Sequence, residues 1–248
     1  MIKKLLISVL LTSSLFGSDI KIAVAANVSY AIKNLIKEFN KQYPDTRVRV
    51  TLGSSGKLTA QIIRGAPYQI LMSANMSYPE ALYENGLATT KPTVYALGNL
   101  AYLSSKKQDF SKGISLLEDS KIEKIAVANP KTAPYGKATV EAMKNMKIYE
   151  KIKNKFVFSE SISQTVSYTI IAADIGFIAK SSLFSPKMSH FKKSIHWDDI
   201  DSKFYTPIKQ GIVILKDGKE NRDVLAFYNF ILSEKAQKIF KDFGYTIL

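Results

Sequence analysis

The turn Gly53-Ser54-Ser55-Gly56 constrains this chain more than any other stretch. Before it, Arg47-Val48-Arg49-Val50-Thr51-Leu52 alternates polar and apolar residues with the period of a strand. After it, Lys57-Leu58-Thr59-Ala60-Gln61-Ile62-Ile63 reads as a helix. Two glycines let the backbone turn sharply. Two serines add hydroxyl donors, and the first N–H groups of the new helix point out of the same turn. Strand, tight turn and helix start in that order belong to an α/β chain. The turn itself is a cradle for an anion with no fixed charge in it.

Three further turns follow a strand-like run and precede a helix-like one. They are Ala26-Asn27-Val28-Ser29, Ala133-Pro134-Tyr135-Gly136 and Ser159-Glu160-Ser161-Ile162-Ser163. In a parallel sheet such turns gather at the carboxyl ends of the strands, where ligands bind. Helix capping selects the same residue types, so capping alone explains any one turn. It explains less where two glycines and two serines stand together, or where Pro134 and Gly136 bracket an aromatic residue. Four turns facing one anion is therefore a second reading beside four separate caps.

Strand and helix signals alternate along the chain. Ile20 to Ala25 reads as a buried strand, and Ile32, Leu35, Ile36, Phe39 and Tyr43 lie on one helix face. Ile70–Met72 is a short strand and Pro79–Glu84 a short helix. A second unit opens with Lys124-Ile125-Ala126-Val127-Ala128, which repeats Lys21-Ile22-Ala23-Val24-Ala25 letter for letter. It continues with a helix near Lys137–Met146, a strand Lys155–Phe158, a helix near Gln164–Ala172 and a strand Asp174–Ala179. The run Asn221–Phe243 reads as helix with a break near Ser233, with Leu225, Tyr228, Ile231 and Leu232 on one face. Two strand-like runs, Val94–Ser104 and Pro207–Leu215, look like crossings between lobes. The order predicts a first lobe over 19–97, a second over 98–209, and a return to the first over 210–248.

Residues 1–18 have the pattern of a signal peptide: Lys3 and Lys4, then the apolar run Leu5–Leu11, then small residues. The chain has no cysteine, which excludes disulfides, thiolate metal sites and a lipidated cysteine. An exported chain without such an anchor is expected in a Gram-negative periplasm. The formal charge of +14 falls by two, to +12, without Lys3 and Lys4. The lysines are scattered and lack aromatic interleaving, so nucleic acid is not an expected partner.

Enzyme motifs do not fit. Gly53-Ser54-Ser55-Gly56-Lys57 has lysine where a nucleophile elbow needs glycine, and its glycines are too close for a phosphate-binding Walker loop. His190 and His196 are six residues apart in a loop-like region, which is no helical metal pair. Asp198, Asp199 and Asp201 read as a solvated acidic loop. Asp174 is expected to cap a strand or meet a neighbouring backbone.

The stretches IAVAANVSYAIKNL, LGSSGKLTAQI, GAPYQILMSAN, LYENGLA, VANPKTAPYGKA, ESISQT and ADIGFIA together resemble the periplasmic molybdate-binding proteins of molybdate ABC transporters. The resemblance runs from about Ile20 to Tyr245. It implies a two-lobed type II periplasmic binding protein fold. Each lobe would be a mostly parallel sheet flanked by helices, with the ligand cleft between the lobes and closure by a hinge. It also implies an oxyanion site made by Ala26, Asn27, Ser29, Ser55, Tyr135 and Ile162. Asn27 lies where the family uses a hydroxyl or amide side chain together with main-chain N–H groups, Ser55 would act through its side chain, Ala26 and Ile162 through main-chain N–H groups, and Ser54 would shape the turn. The chain departs from the family at Gln69 and Asn75, where aspartate is usual, and at Ala179, where some members place a tyrosine. No cofactor or catalytic residue is implied. The resemblance implies molybdate or tungstate as ligand and an inner-membrane ABC permease as partner, and a monomer is expected.

The chemistry is consistent with that implication. Molybdate and tungstate are fully deprotonated dianions near neutrality and only accept hydrogen bonds, so donors without carboxylates suit them. Sulfate also only accepts, and a sulfate binder of the same fold stays open as the alternative. A periplasmic hydrolase using Ser55 or Ser29 is the other reading, weakened by the lack of a placed histidine.

Overall fold

The computed structural model describes residues 19–247. The signal-peptide reading of residues 1–18 lies outside them. The strands are β1 (Asp19–Ala25), β2 (Arg47–Gly53), β3 (Ile70–Ser73), β4 (Thr93–Gly98), β5 (Leu100–Leu103), β6 (Ile125–Ala128), β7 (Phe156–Ser159), β8 (Ile175–Ala179), β9 (Trp197–Asp199) and β10 (Ile208–Ile214). The α-helices are α1 (Ile32–Phe39), α2 (Ser55–Ile63), α3 (Ser77–Glu84), α4 (Pro134–Asn145), α5 (Tyr149–Ile152), α6 (Ile162–Ile171), α7 (Arg222–Ile231) and α8 (Glu234–Asp242).

These strands form two sheets with one plan, ordered β2-β1-β3-β10-β4 and β7-β6-β8-β5-β9. In each, three parallel strands are followed by an antiparallel one and then by an outer strand that runs with the first three. The repeated pentapeptide now has a place. Lys21–Ala25 lies in β1, and Lys124–Ala128 leads into and fills β6, which holds the same position in its own sheet. Both strands have neighbours on either side and helices over both faces, so their last four residues are all buried. The edge strands β2 and β7 are only partly covered.

The chain crosses between sheets twice. β4 ends at Gly98 and β5 begins at Leu100 in the other sheet, so Asn99 alone makes the first crossing. The segment from β9 to β10 makes the second, and Ile208 lands opposite Gly98. Helices α7 and α8 then pack on the first sheet through Phe227, Ile231 and Phe240. Phe39 anchors them, edge-on to Phe227 at 5.1 Å and stacked on Tyr43 at 4.6 Å.

Four helices begin earlier than the sequence implies: α2 at Ser55, α3 at Ser77, α4 at Pro134 and α6 at Ile162. Their first turns carry Ser, Gly, Pro or Tyr, which read locally as loop. Proline needs no N–H at a helix start, so Pro134 begins α4 without cost. The expected face of the C-terminal helix is also corrected. α7 turns Val224, Phe227, Tyr228 and Ile231 inward and leaves Leu225 51% exposed. Asn221 caps α7 by accepting from Asp223 N and Val224 N. The break expected near Ser233 is present, and Ser233 caps α8.

Candidate anion site between the two sheets

The four turns meet. A cavity of about 10 Å³ is lined by Asn27 from the first turn, Ser54 and Ser55 from the second, Pro134 and Tyr135 from the third, and Ile162 from the fourth. Ala25, Ala26, Gly53, Ala74 and Ala133 complete its wall. Two turns belong to each sheet. Tyr135 is the one ionisable side chain on this wall. Burial, with smaller contributions from the neighbouring phenols of Tyr245, Tyr95 and Tyr205, holds its hydroxyl well above the usual phenol range. It therefore stays a neutral O–H donor.

Each turn supplies donors by a different local route. After β1, residues Ala26–Tyr30 form a 3-10 turn that buries Asn27 completely. Asn27 Nδ2 donates to Gln210 Oε1 at 2.8 Å and to Tyr245 Oη at 2.9 Å. The Asn27 main-chain oxygen accepts from Ser181 Oγ at 2.9 Å and from Tyr245 Oη at 3.0 Å. In the second turn, Ser55 Oγ accepts from Ala74 N at 2.9 Å, which leaves its own proton free to donate. Ser54 holds the extended backbone of an N-cap, with φ −67° and ψ 146°, but its side chain makes no capping bond. Its hydroxyl is buried without a partner. The third turn starts α4 at Ala133 with no side-chain cap, and the Tyr135 hydroxyl is likewise buried without a partner. In the fourth, Ser161 caps α6 by accepting from Gln164 N at 3.4 Å, and Ile162 follows as the first helical residue.

The starts of α2 and α4 lack side-chain caps and come from opposite sheets, so an anion between them meets a helix N-terminus on either side. Two contacts draw the sides together. Gly56 N donates to Thr132 O at 3.0 Å, and Lys57 pairs with Glu160. That ion pair is half exposed, so it contributes roughly 0.2–1 kcal/mol and trims the closed arrangement rather than holding it. A cavity of 10 Å³ has room for about one water. A four-oxygen anion is larger, so the two sides must part to admit it.

Ala26, Asn27, Ser55, Tyr135 and Ile162 thus surround one cavity, whereas Ser29 does not reach it. A 3-10 helix advances 120° per residue, so residues 27 and 29 of this turn face different ways. Ser29 sits beside the Tyr30 hydroxyl instead. Ser54, read from sequence as a shaper of the turn, stands on the cavity wall. Gln210, Tyr245 and Ser181, which hold Asn27, carried no local motif. Only Gln210 gave a signal, as a polar residue inside the apolar strand IKQGIVI.

The remaining candidates are accounted for elsewhere. Gln69 Oε1 accepts from Lys21 N at 2.9 Å, and Asn75 bonds within its own turn to Ser73 and Ser77. Ala179 is buried at the end of β8. Asp174 accepts from Glu123 N and Lys124 N, each at 3.0 Å. His196 Nδ1 accepts from Lys192 N at 3.1 Å. Burial works against ionisation of Asp199, but Lys180 at 2.7 Å and Lys193 at 2.6 Å outweigh it and keep the carboxyl low. Among the described residues no group of three or more His, Cys, Asp or Glu side chains is placed to hold a metal ion. Ser55 Oγ has a main-chain N–H beside it, not a base.

Residues 20–246 match the family model described as bacterial extracellular solute-binding protein. The chain belongs to that family. Curated relatives of this solute-binding protein include the molybdate-binding protein ModA of Azotobacter vinelandii, 31% identical over 96% of this chain and 94% of the relative. ModA of Rhodobacter capsulatus is 33% identical over 93% and 89%. Among solved structures, the periplasmic molybdate-binding protein of Azotobacter vinelandii superposes with a TM-score of 0.85 at 30% identity, covering 92% of this chain and 99% of that one. The sulfate-binding protein SubI of Mycobacterium tuberculosis shares the fold, with a TM-score of 0.77 at 14% identity over 93% and 87%.

Proposed function

We propose that this solute-binding protein takes up molybdate in the periplasm, and tungstate at the same site, and delivers it to an inner-membrane ABC permease. The observation that carries the reading is the convergence of four donor turns, two from each sheet, on one cavity whose wall holds no carboxylate and no cation. A dianion with no proton of its own finds hydroxyl and main-chain N–H donors there and no charged group. Binding through dipoles and hydroxyls also lets the anion leave when the sides part. The relatives named as molybdate-binding proteins cover nearly the whole chain and support the same ligand.

Calorimetric titration of the mature chain with molybdate, tungstate, sulfate and phosphate tests it. One molybdate per chain is expected, with sulfate and phosphate weaker. Sulfate binding as tight as molybdate would overturn the assignment in favour of a sulfate carrier.

Ser55→Ala removes one hydroxyl donor to a charged ligand, worth about 1.5–3 kcal/mol, so affinity should fall about 10- to 150-fold. Unchanged affinity would remove Ser55 from the site. The pH profile is a separate check. Tyr135 is held above its usual range, so between about pH 6.5 and 9 no wall group changes charge. Affinity should be flat across that window. At higher pH the sign is fixed: the unfolded chain releases the phenolic proton first, so the stability contributed by neutral Tyr135 is lost as pH rises beyond about 10.

A further inference from the structure

Gln210 is fully buried on β10, the strand by which the chain returns from the second sheet. The register with β4 shifts between Gln210 and Gly211, so Gln210 sits at an irregularity beside the second crossing. Its Nε2 donates to Ile208 O at 3.0 Å and its Oε1 accepts from Asn27 Nδ2 at 2.8 Å. Gly98, at the first crossing, lies beneath it. A Cβ there would come within 2.7 Å of Gln210 Nε2 and 2.1 Å of Tyr135 Oη. One small patch therefore touches both crossings and two residues of the candidate anion site.

The polarity of this patch is determined step by step. Ile208 O can only accept, so the end of Gln210 facing it must be the NH2 group. The other end of Gln210 is then an acceptor, and Asn27 must meet it with an N–H. Tyr245 Oη donates to the Asn27 main-chain oxygen, so it accepts the second Asn27 N–H. Both side-chain protons of Asn27 are thus taken, and its Oδ1 is left buried with no partner. An oxygen with no proton is a poor neighbour for a dianion.

From this geometry we infer that Gln210 is a positioning residue of the anion site. It ties the Asn27 amide back toward the hinge, so that the first turn serves the ligand through main-chain N–H groups and not through the Asn27 side chain. This rests on the oxyanion reading above. It corrects one part of that reading, the side-chain role expected for Asn27. It also makes the first turn a passenger of the hinge: a change of backbone at 208–211 reaches the ligand through a single amide.

The test compares wild type, Gln210→Met and Gln210→Glu by molybdate titration at pH values from about 8 down to about 5.5. The methionine variant keeps the volume and loses both hydrogen bonds, and should bind about tenfold more weakly at every pH. The glutamate variant should bind weakly at pH 8, where its buried carboxylate faces a dianion. It should recover toward wild type as pH falls, because the protonated acid donates to Ile208 O and accepts from Asn27 as glutamine does. Burial raises such a carboxyl into this range. The other titratable neighbours, Tyr135 and Tyr245, are held neutral by burial. A residue that merely fills space would give no recovery with pH. Tyr245→Phe leaves Gln210 in place but removes the other anchor of the Asn27 amide and a donor to the Asn27 main-chain oxygen, which loosens the first turn and should weaken binding about threefold to tenfold. It keeps the idea testable if a Gln210 variant fails to fold. Wild type that binds no molybdate defeats the oxyanion reading. Wild-type affinity and a flat profile in all three variants defeat this inference alone.

Discussion

Gly56→Val is expected to weaken anion binding by about a hundredfold or more while leaving the unliganded protein folded. Gly56 lies in the first turn of α2, and its N–H donates to Thr132 O across the cleft. A Cβ at this position would stand 3.0 Å from Thr132 O and 3.1 Å from Thr132 Cα. Those are main-chain atoms of the other side, and they cannot swing away. The third neighbour, Tyr78 Oη at 2.6 Å, is the tip of a side chain and can. Valine adds two methyl groups to this crowding, so the two sides are held apart. The anion then keeps the donors of one side only. Losing two charge-assisted hydrogen bonds costs about 3–6 kcal/mol, a factor of a hundred or more. Calorimetry gives the affinity and small-angle scattering the separation. Tight binding by the valine variant, with scattering like wild type, would show that closure does not need this approach.

Gly136→Ala should act on the fold and not on closure. A Cβ at Gly136 would lie 2.0 Å from Ala128 O, 2.7 Å from Ala128 C and 3.1 Å from Asn129 C. All three are backbone atoms at the end of β6, on the same side of the cleft. The N-terminus of α4 rests directly on that strand end, and only glycine permits it. Overpacking against backbone belongs at the upper end of the usual range, about 3 kcal/mol. The urea midpoint of the unliganded protein should fall accordingly, with an unchanged slope. Wild-type stability would mean that α4 can shift outward as a unit. The pair of variants separates two uses of glycine: Gly56 gives way to the opposite side, Gly136 to its own.

Much of this arrangement is legible in the residues themselves. Gly53–Gly56 marked a strand-to-helix turn because its glycines and serines stand between two clear periodicities. The repeated pentapeptide pointed to two units on one plan, and β1 and β6 occupy matching positions. What local pattern could not show was the phase of short elements. Asn27 and Ser29 both look available in a string, and the 3-10 turn separates them. Leu225 looks like a core residue, but Val224 and Phe227 complete a buried stripe with Tyr228 and Ile231 that turns it outward. Nor could it show contacts between distant residues. Gln210, Tyr245 and Ser181 reach Asn27 across 183, 218 and 154 positions. The helix starts look like loop in the sequence because Ser, Gly and Pro lack helical periodicity.

The wall of small residues has a consequence for how such a site tolerates change. Ala25, Ala26, Gly53, Ala74 and Ala133 bring main chain, and not long side chains, to the ligand. The information that selects an anion is then written mostly in the path of the backbone. Swaps among small residues leave that path intact, while one added branch blocks it. Volume, more than chemistry, is therefore what this wall can least afford to change.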